Sequence, residues 1–262
     1  MKLSLIQFTV GSDFEKNFEN AKKYIHECKK TNPNFILFPE CFLFLSNKKK
    51  FHLTMDNFAI KFFQDFAEKN NLNILLGSLP IKENDKVYNR SLFINSQGLI
   101  ISTYDKIHMF DVTLKNNEIY KESDLYTAGN ELKSFSIDNV MYGHSICYDL
   151  RFPKLYRSLA KMGSKAIVIP SAFTYSTGRA HWHTLIKSRA IENGVFIIAP
   201  NQCGTNDEKR STYGHSIVVD PWGEVVAEAE ENEMILNCEI NLDIVDRYQK
   251  SIPVLEHDID FN

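Results

Sequence analysis

The sequence lacks the features that mark several large classes of protein. No stretch approaches the roughly 20 consecutive apolar residues that a membrane helix needs, and the N-terminal strand-like run is not followed by the small-residue cleavage site of a secretory signal. The net charge is only −3 over 262 residues, which argues against a partner bound through bulk charge. We therefore expect a cytoplasmic protein that binds neither nucleic acid nor membranes.

Cysteine and glycine are present but not in informative patterns. The five cysteines are scattered and never form a CxxC pair, so they indicate neither a disulfide framework nor a zinc site. The glycine-rich patterns that cradle phosphates, GxGxxG and the Walker motif, are absent. No Pro/Gly/Ser-rich linker interrupts the chain. Residues 1–262 are therefore predicted to form a single domain, with 251–262 as a C-terminal tail.

Strand-like runs alternate with helical spacing in the first half of the chain, and again after Phe135. Each half also contains one hairpin signal, at 95–98 and at 221–223. Two α/β layers of similar build, packed sheet against sheet, satisfy both patterns. The same patterns predict one strand over 135–142, an irregular loop over 115–129 and a helix over 181–193.

Three polar side chains, Glu40, Lys106 and Cys147, stand at the ends of predicted strands. Taken singly, the first two would be solvated surface groups and the third a buried bystander. Together they form a working set, because a thiol nucleophile needs a base and a partly shielded carboxylate with a raised pKa can serve. An ammonium group, and a helix that begins just after Cys147, would lower the thiol pKa.

The segments around these residues resemble the nitrilase superfamily of carbon–nitrogen hydrolases, over about residues 1–256. The similar motifs are, in order, Phe38-Pro-Glu40, Tyr104-Asp-Lys106-Ile-His-Met-Phe-Asp111 and Ile146-Cys147-Tyr-Asp-Leu-Arg-Phe-Pro153. The resemblance implies an α/β fold in which two packed sheets form a four-layer α-β-β-α sandwich. It also implies a homodimer or higher homo-oligomer that pairs near the cysteine helix, with crossing C-terminal tails.

The resemblance assigns a role to each motif residue in a Glu–Lys–Cys triad. Glu40 would be the general base, Cys147 the nucleophile that forms a thioester, and Lys106 the stabiliser of the tetrahedral intermediate. The backbone N–H of Tyr148 would be the second oxyanion donor, and Glu122 matches a second glutamate near the lysine. Neither a metal nor an organic cofactor is implied.

Within the superfamily the chain resembles the Nit-type amidases, through segments 170–178, 180–182, 213–216 and 218–223. Asn201-Gln-Cys-Gly204 with Lys209-Arg210 looks more like the deaminated-glutathione amidases than the ω-amidases. The implied function is a thiol amidohydrolase that releases ammonia from a small carboxylate-bearing amide. Deaminated glutathione is the first choice of substrate, and 2-oxoglutaramate or 2-oxosuccinamate is the alternative. Another small amide, or a non-catalytic binding module, stays open.

Three further residues match positions that contact substrate in this group. Arg151 and Thr177 would hold a substrate carboxylate, which suits the fork of a guanidinium group, and Phe173 would form a pocket wall. A structural ion pair of Arg151 with Asp149 or Asp111 is an equally open interpretation, and Phe173 could be plain core.

The histidines leave smaller questions open. His144 stands where related chains often have a small or apolar residue, so it either hydrogen-bonds near the pocket or fills space. A Cys–His hydrolase that uses His144 lacks an evident third group to orient the base. His181 and His183 would point to different faces of a helix, so we expect no shared metal, but one core and one surface histidine. Loops 42–50 and 115–122 also depart from the family pattern and are expected to shape the pocket mouth.

Overall fold

The computed structural model describes residues 1–114 and 118–259. In the first half, Asp13 caps the first helix by accepting a hydrogen bond from the Lys16 N–H (3.0 Å), as expected for an acidic residue at a helix start. The elements of this half are, in chain order, β1 (Lys2–Gln7), α1 (Phe14–Lys29), β2 (Phe35–Leu37), α2 (Phe58–Asn70), β3 (Asn73–Glu83), β4 (Lys86–Ile94) and β5 (Ile100–Asp105).

The second half begins with a short hairpin and then repeats the build of the first. Short 3-10 turns cover Glu122–Asp124 and Cys147–Arg151. The remaining elements are β6 (Asp111–Thr113), β7 (Ile119–Lys121), β8 (Ser134–Ile137), β9 (Val140–His144), α3 (Pro153–Lys161), β10 (Ala166–Val168), α4 (Tyr175–Asn193), β11 (Phe196–Ala199), β12 (Cys203–Thr205), β13 (Ser211–Tyr213), β14 (Ile217–Val219), β15 (Val225–Glu228), β16 (Met234–Glu239) and α5 (Ile244–Ser251).

The strands form two six-stranded sheets, in the orders β16-β1-β2-β3-β4-β5 and β15-β14-β11-β10-β9-β8. Each sheet has three parallel strands at its centre, β1-β2-β3 in one and β9-β10-β11 in the other. Helices α1 and α2 cover the outer face of the first sheet, and α3 and α4 cover that of the second. The predicted four-layer α-β-β-α sandwich is confirmed.

Aromatic rings fill the space between the two sheets. Phe35 and Phe93 of the first sheet meet Phe135 and Tyr142 of the second, with ring centroids 4.0–5.9 Å apart. Each fully buried ring contributes about 1.5–3 kcal/mol through the hydrophobic effect. The two sheets therefore share one apolar core, and the strand ends of both meet at the same edge.

Three predictions about local structure need correction. The single strand over 135–142 is wrong, because Asp138 and Asn139 adopt φ of 50° and 64° and make the two-residue turn of a β8–β9 hairpin. The helix predicted over 181–193 already begins at Tyr175. The loop predicted over 115–129 contains β7 and a 3-10 turn, while residues 115–117 lie outside the described part of the chain.

The described part of the C-terminal tail packs against its own chain. Leu255 contacts the core beneath α3 and α4, and Asp258 pairs with Lys161 (2.8 Å) and Arg157 (3.6 Å) of α3. Residues 260–262 of the predicted tail lie outside the described residues, and the crossing of tails between protomers stays a prediction. None of the described helices is both long enough and apolar enough to cross a membrane.

Candidate active site

Glu40 lies just beyond the C-terminal end of β2, where β3 passes unusually close. A Cβ atom on Gly77 of β3 would lie 2.1 Å from the carbonyl oxygens of both Phe38 and Pro39, so only glycine allows this approach. The Glu40 side chain is buried. Its Oε2 accepts a hydrogen bond from the Ala172 N–H (2.9 Å), and its backbone carbonyl accepts one from Gln202 (2.6 Å). The carboxylate is thus held from the second half of the chain.

Lys106 follows β5 and joins two carboxylates. Its Nζ donates to Glu40 Oε1 (2.8 Å) and to Glu122 Oε1 and Oε2 (2.9 and 2.8 Å), and only 2% of the side chain is exposed. Asn89 Nδ2 donates to Glu40 Oε1 and to Glu122 Oε1, at 3.0 Å each. Glu122 also accepts from the Phe110 N–H (2.7 Å). The ammonium is therefore fixed between two oriented carboxylates.

Cys147 begins the 3-10 turn after β9, and its thiol lies against the Glu40 carboxylate. Its φ of 46° is in the left-handed region, which costs about 1–2 kcal/mol for a residue with a Cβ. The Cys147 N–H donates to the Pro170 carbonyl (3.0 Å), and Asp149 Oδ2 accepts from the Ile146 N–H (2.9 Å) and from the Tyr104 hydroxyl (2.7 Å). These bonds hold the strained turn in place.

Burial and charge set the protonation states of this cluster. Burial alone would raise the pKa of Glu40, but the Lys106 ammonium holds it below its usual value. Burial alone would lower the pKa of Lys106, but Glu122 and Glu40 carry it well above the usual range. Burial, and then the Glu40 carboxylate, raise the pKa of Cys147 well above the usual value despite Lys106. The resting cluster is therefore a carboxylate, an ammonium and a neutral thiol.

Two expectations about acidity are therefore wrong. The pKa of Glu40 is lowered rather than raised, because Lys106 is in direct contact with it. The pKa of Cys147 is raised rather than lowered, because the thiol is buried and faces a carboxylate. For Glu40 the charge of Lys106 outweighs the shielding that the sequence suggested, and for Cys147 burial, followed by the charge of Glu40, outweighs the helix start.

A cavity of about 310 Å³ opens onto Cys147. Seven of the eight residues predicted for the site line it, namely Glu40, Lys106, Glu122, Cys147, Tyr148, Phe173 and Thr177. Within the described residues, no hydrogen bond is formed by the Tyr148 backbone N–H, so this donor is available to an oxyanion. Residues 45–47, 119–122 and 124–126 contribute to the lining, which agrees with the expectation that segments 42–50 and 115–122 shape the mouth.

Arg151 is the eighth predicted residue, and it does not line the cavity. Its guanidinium carbon lies 5.8 Å from the ring centroid of Tyr148 and 5.4 Å from that of Phe173, and its Nη2 lies 3.3 Å from His181 Nδ1. In the described residues it forms no ion pair with Asp149 or Asp111. Its predicted contact with substrate stays a prediction.

Arg210, from the turn between β12 and β13, lines the cavity instead. It donates to the Ala172 carbonyl (2.9 Å) and to Asn47 Oδ1 (3.0 Å), and lies 5.3 Å from the ring centroid of Tyr120. The sequence indicates Arg210 only as part of a segment that resembles the deaminated-glutathione amidases. Its place in the cavity depends on a hairpin that folds back over the site, which no local pattern indicates.

His144 fills space and makes no hydrogen bond that could serve catalysis. It is fully buried between Phe135 and Tyr104, and neither ring nitrogen has a partner among the described residues. Burial lowers the pKa of His144 to about 3. The space-filling interpretation is confirmed, and the Cys–His alternative finds no support in the geometry.

The prediction of one core histidine among His181 and His183 is wrong. His181 is exposed and His183 is half-buried, whereas the core side chain of the segment is Trp182, whose Nε1 donates to the His215 carbonyl (2.8 Å). His183 instead contacts Glu228 (2.7 Å).

The two-sheet sandwich, with this buried cluster at one edge, is the architecture of a hydrolase fold, and the comparisons identify the family. The chain belongs to the carbon–nitrogen hydrolase family, whose model matches residues 2–250. It is therefore a hydrolase that acts on carbon–nitrogen bonds other than peptide bonds. The Nit-branch members of the nitrilase superfamily are among its relatives in both sequence and structure.

Three relatives define this likeness further. The deaminated glutathione amidase of Dictyostelium discoideum is 37% identical, over 98% of this chain and 93% of its own. The omega-amidase NIT3 of Saccharomyces cerevisiae is 31% identical, over 97% and 91%. The crystal structure of the Caenorhabditis elegans NitFhit protein superposes on this chain with a TM-score of 0.90 at 35% identity. The superposition covers 98% of this chain and 64% of the NitFhit chain.

Proposed function

We propose that this chain is a thiol amidohydrolase, which releases ammonia from a small carboxylate-bearing amide through a thioester on Cys147. The observation that carries the proposal is the buried Lys106, held between Glu40 and Glu122 beside the Cys147 thiol. A base, a nucleophile and a fixed positive charge thus meet at one point of the cavity.

In the first step the Cys147 sulfur attacks the amide carbon, and the thiol proton passes to Glu40. The carbonyl oxygen becomes an oxyanion that accepts hydrogen bonds from Lys106 and from the Tyr148 N–H. Because the pKa of the thiol is raised and that of Glu40 is lowered, transfer of the proton alone is unfavourable. It becomes favourable when the negative charge moves onto the oxygen beside Lys106, so attack and proton transfer occur together.

In the second step the carbon–nitrogen bond breaks. Glu40 returns the proton to the leaving nitrogen, ammonia departs, and the acyl group remains on sulfur as a thioester. Glu40 then takes a proton from a water molecule, whose oxygen attacks the thioester carbon. The carbon–sulfur bond then breaks, Glu40 returns its proton to the Cys147 sulfur, and the carboxylic acid is released. Glu122 keeps Lys106 in place throughout by two hydrogen bonds and acts as a positioning residue.

The charge of the cavity supports a substrate that carries a carboxylate. Lys106 is neutralised by two carboxylates, whereas Arg210, within the described part of the chain, donates only to the uncharged oxygens of Ala172 and Asn47. Thr177, whose hydroxyl lies 2.7 Å from that of Thr174, adds a neutral donor to the wall. Deaminated glutathione is the first substrate to test and the 2-oxo acid amides are the second, since relatives of both names match nearly the whole chain.

The proposal is tested by ammonia release from deaminated glutathione, 2-oxoglutaramate and 2-oxosuccinamate. Cys147→Ala and Glu40→Gln should each reduce kcat by about a thousandfold or more, and the wild-type protein should form a covalent adduct on Cys147 in quenched mass spectra. Cys203→Ala is the matched control, because Cys203 is buried away from the cavity. Normal turnover in either active-site variant would contradict the mechanism, and an inert wild-type protein would favour a binding module.

The substrate carboxylate is tested by two matched arginine variants. Arg210→Gln should raise KM for carboxylate-bearing amides by about ten- to a hundredfold, which corresponds to one charged hydrogen bond, and leave KM for a neutral amide of equal length unchanged. Arg151→Gln is measured in parallel. A selective effect of Arg151→Gln alone would favour the contact that the sequence resemblance predicted.

We also propose a cytoplasmic location. The five cysteines are free thiols, and a reducing compartment preserves such thiols. Fractionation of cells that express the tagged chain tests this, and recovery in an oxidising compartment would contradict it.

A further inference from the structure

Three side chains from separate elements converge on the surface beside α4, away from the catalytic cavity. His183 belongs to α4, His215 follows β13, and Glu228 ends β15. Their ligand atoms all lie within 4.8 Å of one another, and none of the three lines the cavity that opens onto Cys147. We propose that His183, His215 and Glu228 bind one divalent transition-metal ion, of which Zn²⁺ is the best match.

The distances suit a metal after a small adjustment. His183 Nε2 lies 2.7 Å and His215 Nδ1 lies 2.8 Å from the same oxygen, Glu228 Oε1. Zinc binds such donors at about 2.0–2.2 Å, which places two donors on a tetrahedral ion about 3.4 Å apart. The imidazole nitrogens must therefore move away from the carboxylate oxygen by about 0.6–0.7 Å. Side-chain rotation achieves this, since the three side chains are 20–35% exposed.

The two rings approach the carboxylate from different directions. The ring planes of His183 and His215 cross at 74°, with centroids 5.4 Å apart. Two imidazoles that lay flat on each other would direct their nitrogens along parallel lines. The crossed rings instead direct one nitrogen each at a common point, as the ligands of a single ion do.

The surroundings of His215 orient it as they would a metal ligand. Its Nδ1 faces the site, while its other nitrogen, Nε2, faces Glu231 Oε1 at 3.9 Å, and Glu231 in turn accepts a hydrogen bond from the Tyr175 hydroxyl (3.2 Å). A histidine that binds a metal usually donates its second N–H to a carboxylate. At 3.9 Å the Glu231 carboxylate is beyond hydrogen-bond distance of Nε2, and rotation of its 57% exposed side chain would be needed to form this bond. The ring also stacks on Tyr213, with centroids 4.4 Å apart.

The donor set decides the class of ion. Two imidazoles and one carboxylate favour Zn²⁺, Co²⁺ and Ni²⁺ over Mg²⁺ and Ca²⁺, which prefer oxygen donors only. Water would complete the coordination on the exposed side.

A bound ion would link α4 to the edge of the second sheet. His183 lies on the helix, Glu228 lies on β15, and His215 lies on the turn that leads into β14. The first turn of α4 also carries Thr177 of the cavity wall. The ion would therefore stabilise the fold on this side of the molecule, and this role does not depend on the proposed amidase activity.

The test uses the full chain without a histidine tag, treated with chelator and then titrated. Titration with Zn²⁺ by calorimetry should give one ion per chain, and Co²⁺ should give a visible absorption band in the same ratio. His183→Gln and Glu228→Gln should each weaken the affinity about tenfold or more. Saturating Zn²⁺ should raise Tm of the wild-type chain, and this rise should be lost in both variants.

Two controls separate this site from other ligands. His52→Gln removes an exposed histidine elsewhere and should bind like the wild-type chain. Cys147→Ala should also bind one ion, because the catalytic thiol is not a ligand. Absence of binding, affinity unchanged in His183→Gln and Glu228→Gln, or loss of binding in Cys147→Ala would each overturn the proposal. If one of the two site variants does not fold, the other decides.

Discussion

Buried titratable side chains in this protein are handled in two opposite ways. Glu40 and Lys106 are buried as a charged pair, and each holds the other in its ionised form. His144 is equally buried but is neutral, and its two ring nitrogens have no hydrogen-bond partner among the described residues. The first arrangement keeps charge where the proposed reaction needs it. The burial of neutral His144 lowers the stability of the fold at acidic pH, where the unfolded chain binds a proton.

Replacement of His144 by leucine should make the fold less sensitive to acid. The pKa of His144 is about 3 in the folded chain and about 6.5 when unfolded, so between these values only the unfolded chain binds the proton. Stability attributable to this residue is therefore full above pH 6.5 and falls as the pH drops towards 3. Between pH 7 and 4.5 the wild-type chain should lose about 2.5 kcal/mol more than His144→Leu.

Urea unfolding at both pH values measures this difference, and His52→Leu at an exposed position is the control. An equal loss of unfolding free energy in the wild-type chain and in His144→Leu would show that His144 is protonated in the folded state.

At the scale of elements, the site depends on how closely β3 passes the end of β2. Gly77 leaves no room for a Cβ, which would lie 2.1 Å from two backbone carbonyl oxygens next to Glu40. Backbone atoms cannot move aside as the end of a flexible side chain can. The strand contact therefore fixes the position of the proposed general base, although Gly77 itself takes no part in the proposed chemistry.

Gly77→Ala should displace the segment that carries Glu40. We expect a loss of about 2 kcal/mol or more in unfolding free energy, together with a kcat that falls further than the loss of folded protein explains. Gly163→Ala is the matched control, since a Cβ there meets no atom within 4 Å and only the φ of 100° is unfavourable. Thermal unfolding and ammonia release measure both effects. A folded Gly77→Ala protein with normal kcat would contradict this view of the site.

At the scale of the whole molecule, two halves of similar strand order pack into one sandwich and each supplies part of the site. Glu40 and Lys106 come from the first sheet, Cys147 from the second, and Ala172 bridges them through its hydrogen bond to Glu40. Neither half alone contains the proposed base, nucleophile and stabilising cation. The proposed catalytic arrangement therefore exists only when both sheets have docked.

We propose that two such molecules pair near α3, as the resemblance implies. Ile252 begins the tail whose Asp258 pairs with α3, and it is an apolar side chain left 48% exposed. Size-exclusion chromatography with light scattering should give twice the mass of one chain. Ile252→Asp should shift the equilibrium towards the monomer, whereas Leu99→Asp, at a 54% exposed apolar residue on the β4–β5 turn, should not. A monomer at micromolar concentration would contradict the pairing.

The sequence by itself determined the two-layer α/β organisation and the residues at the strand ends, because hydrophobic periodicity and short motifs are local properties. Glu122 came only from family resemblance, since on its own it reads as a surface charge. Tertiary structure decided the rest. The protonation states of Glu40 and Cys147, the place of Arg210 in the cavity and the meeting of His183 with His215 and Glu228 all join segments far apart in the chain. Such contacts form when sheets and hairpins dock. The local sequence around a residue therefore does not predict which distant charged residue will lie next to it.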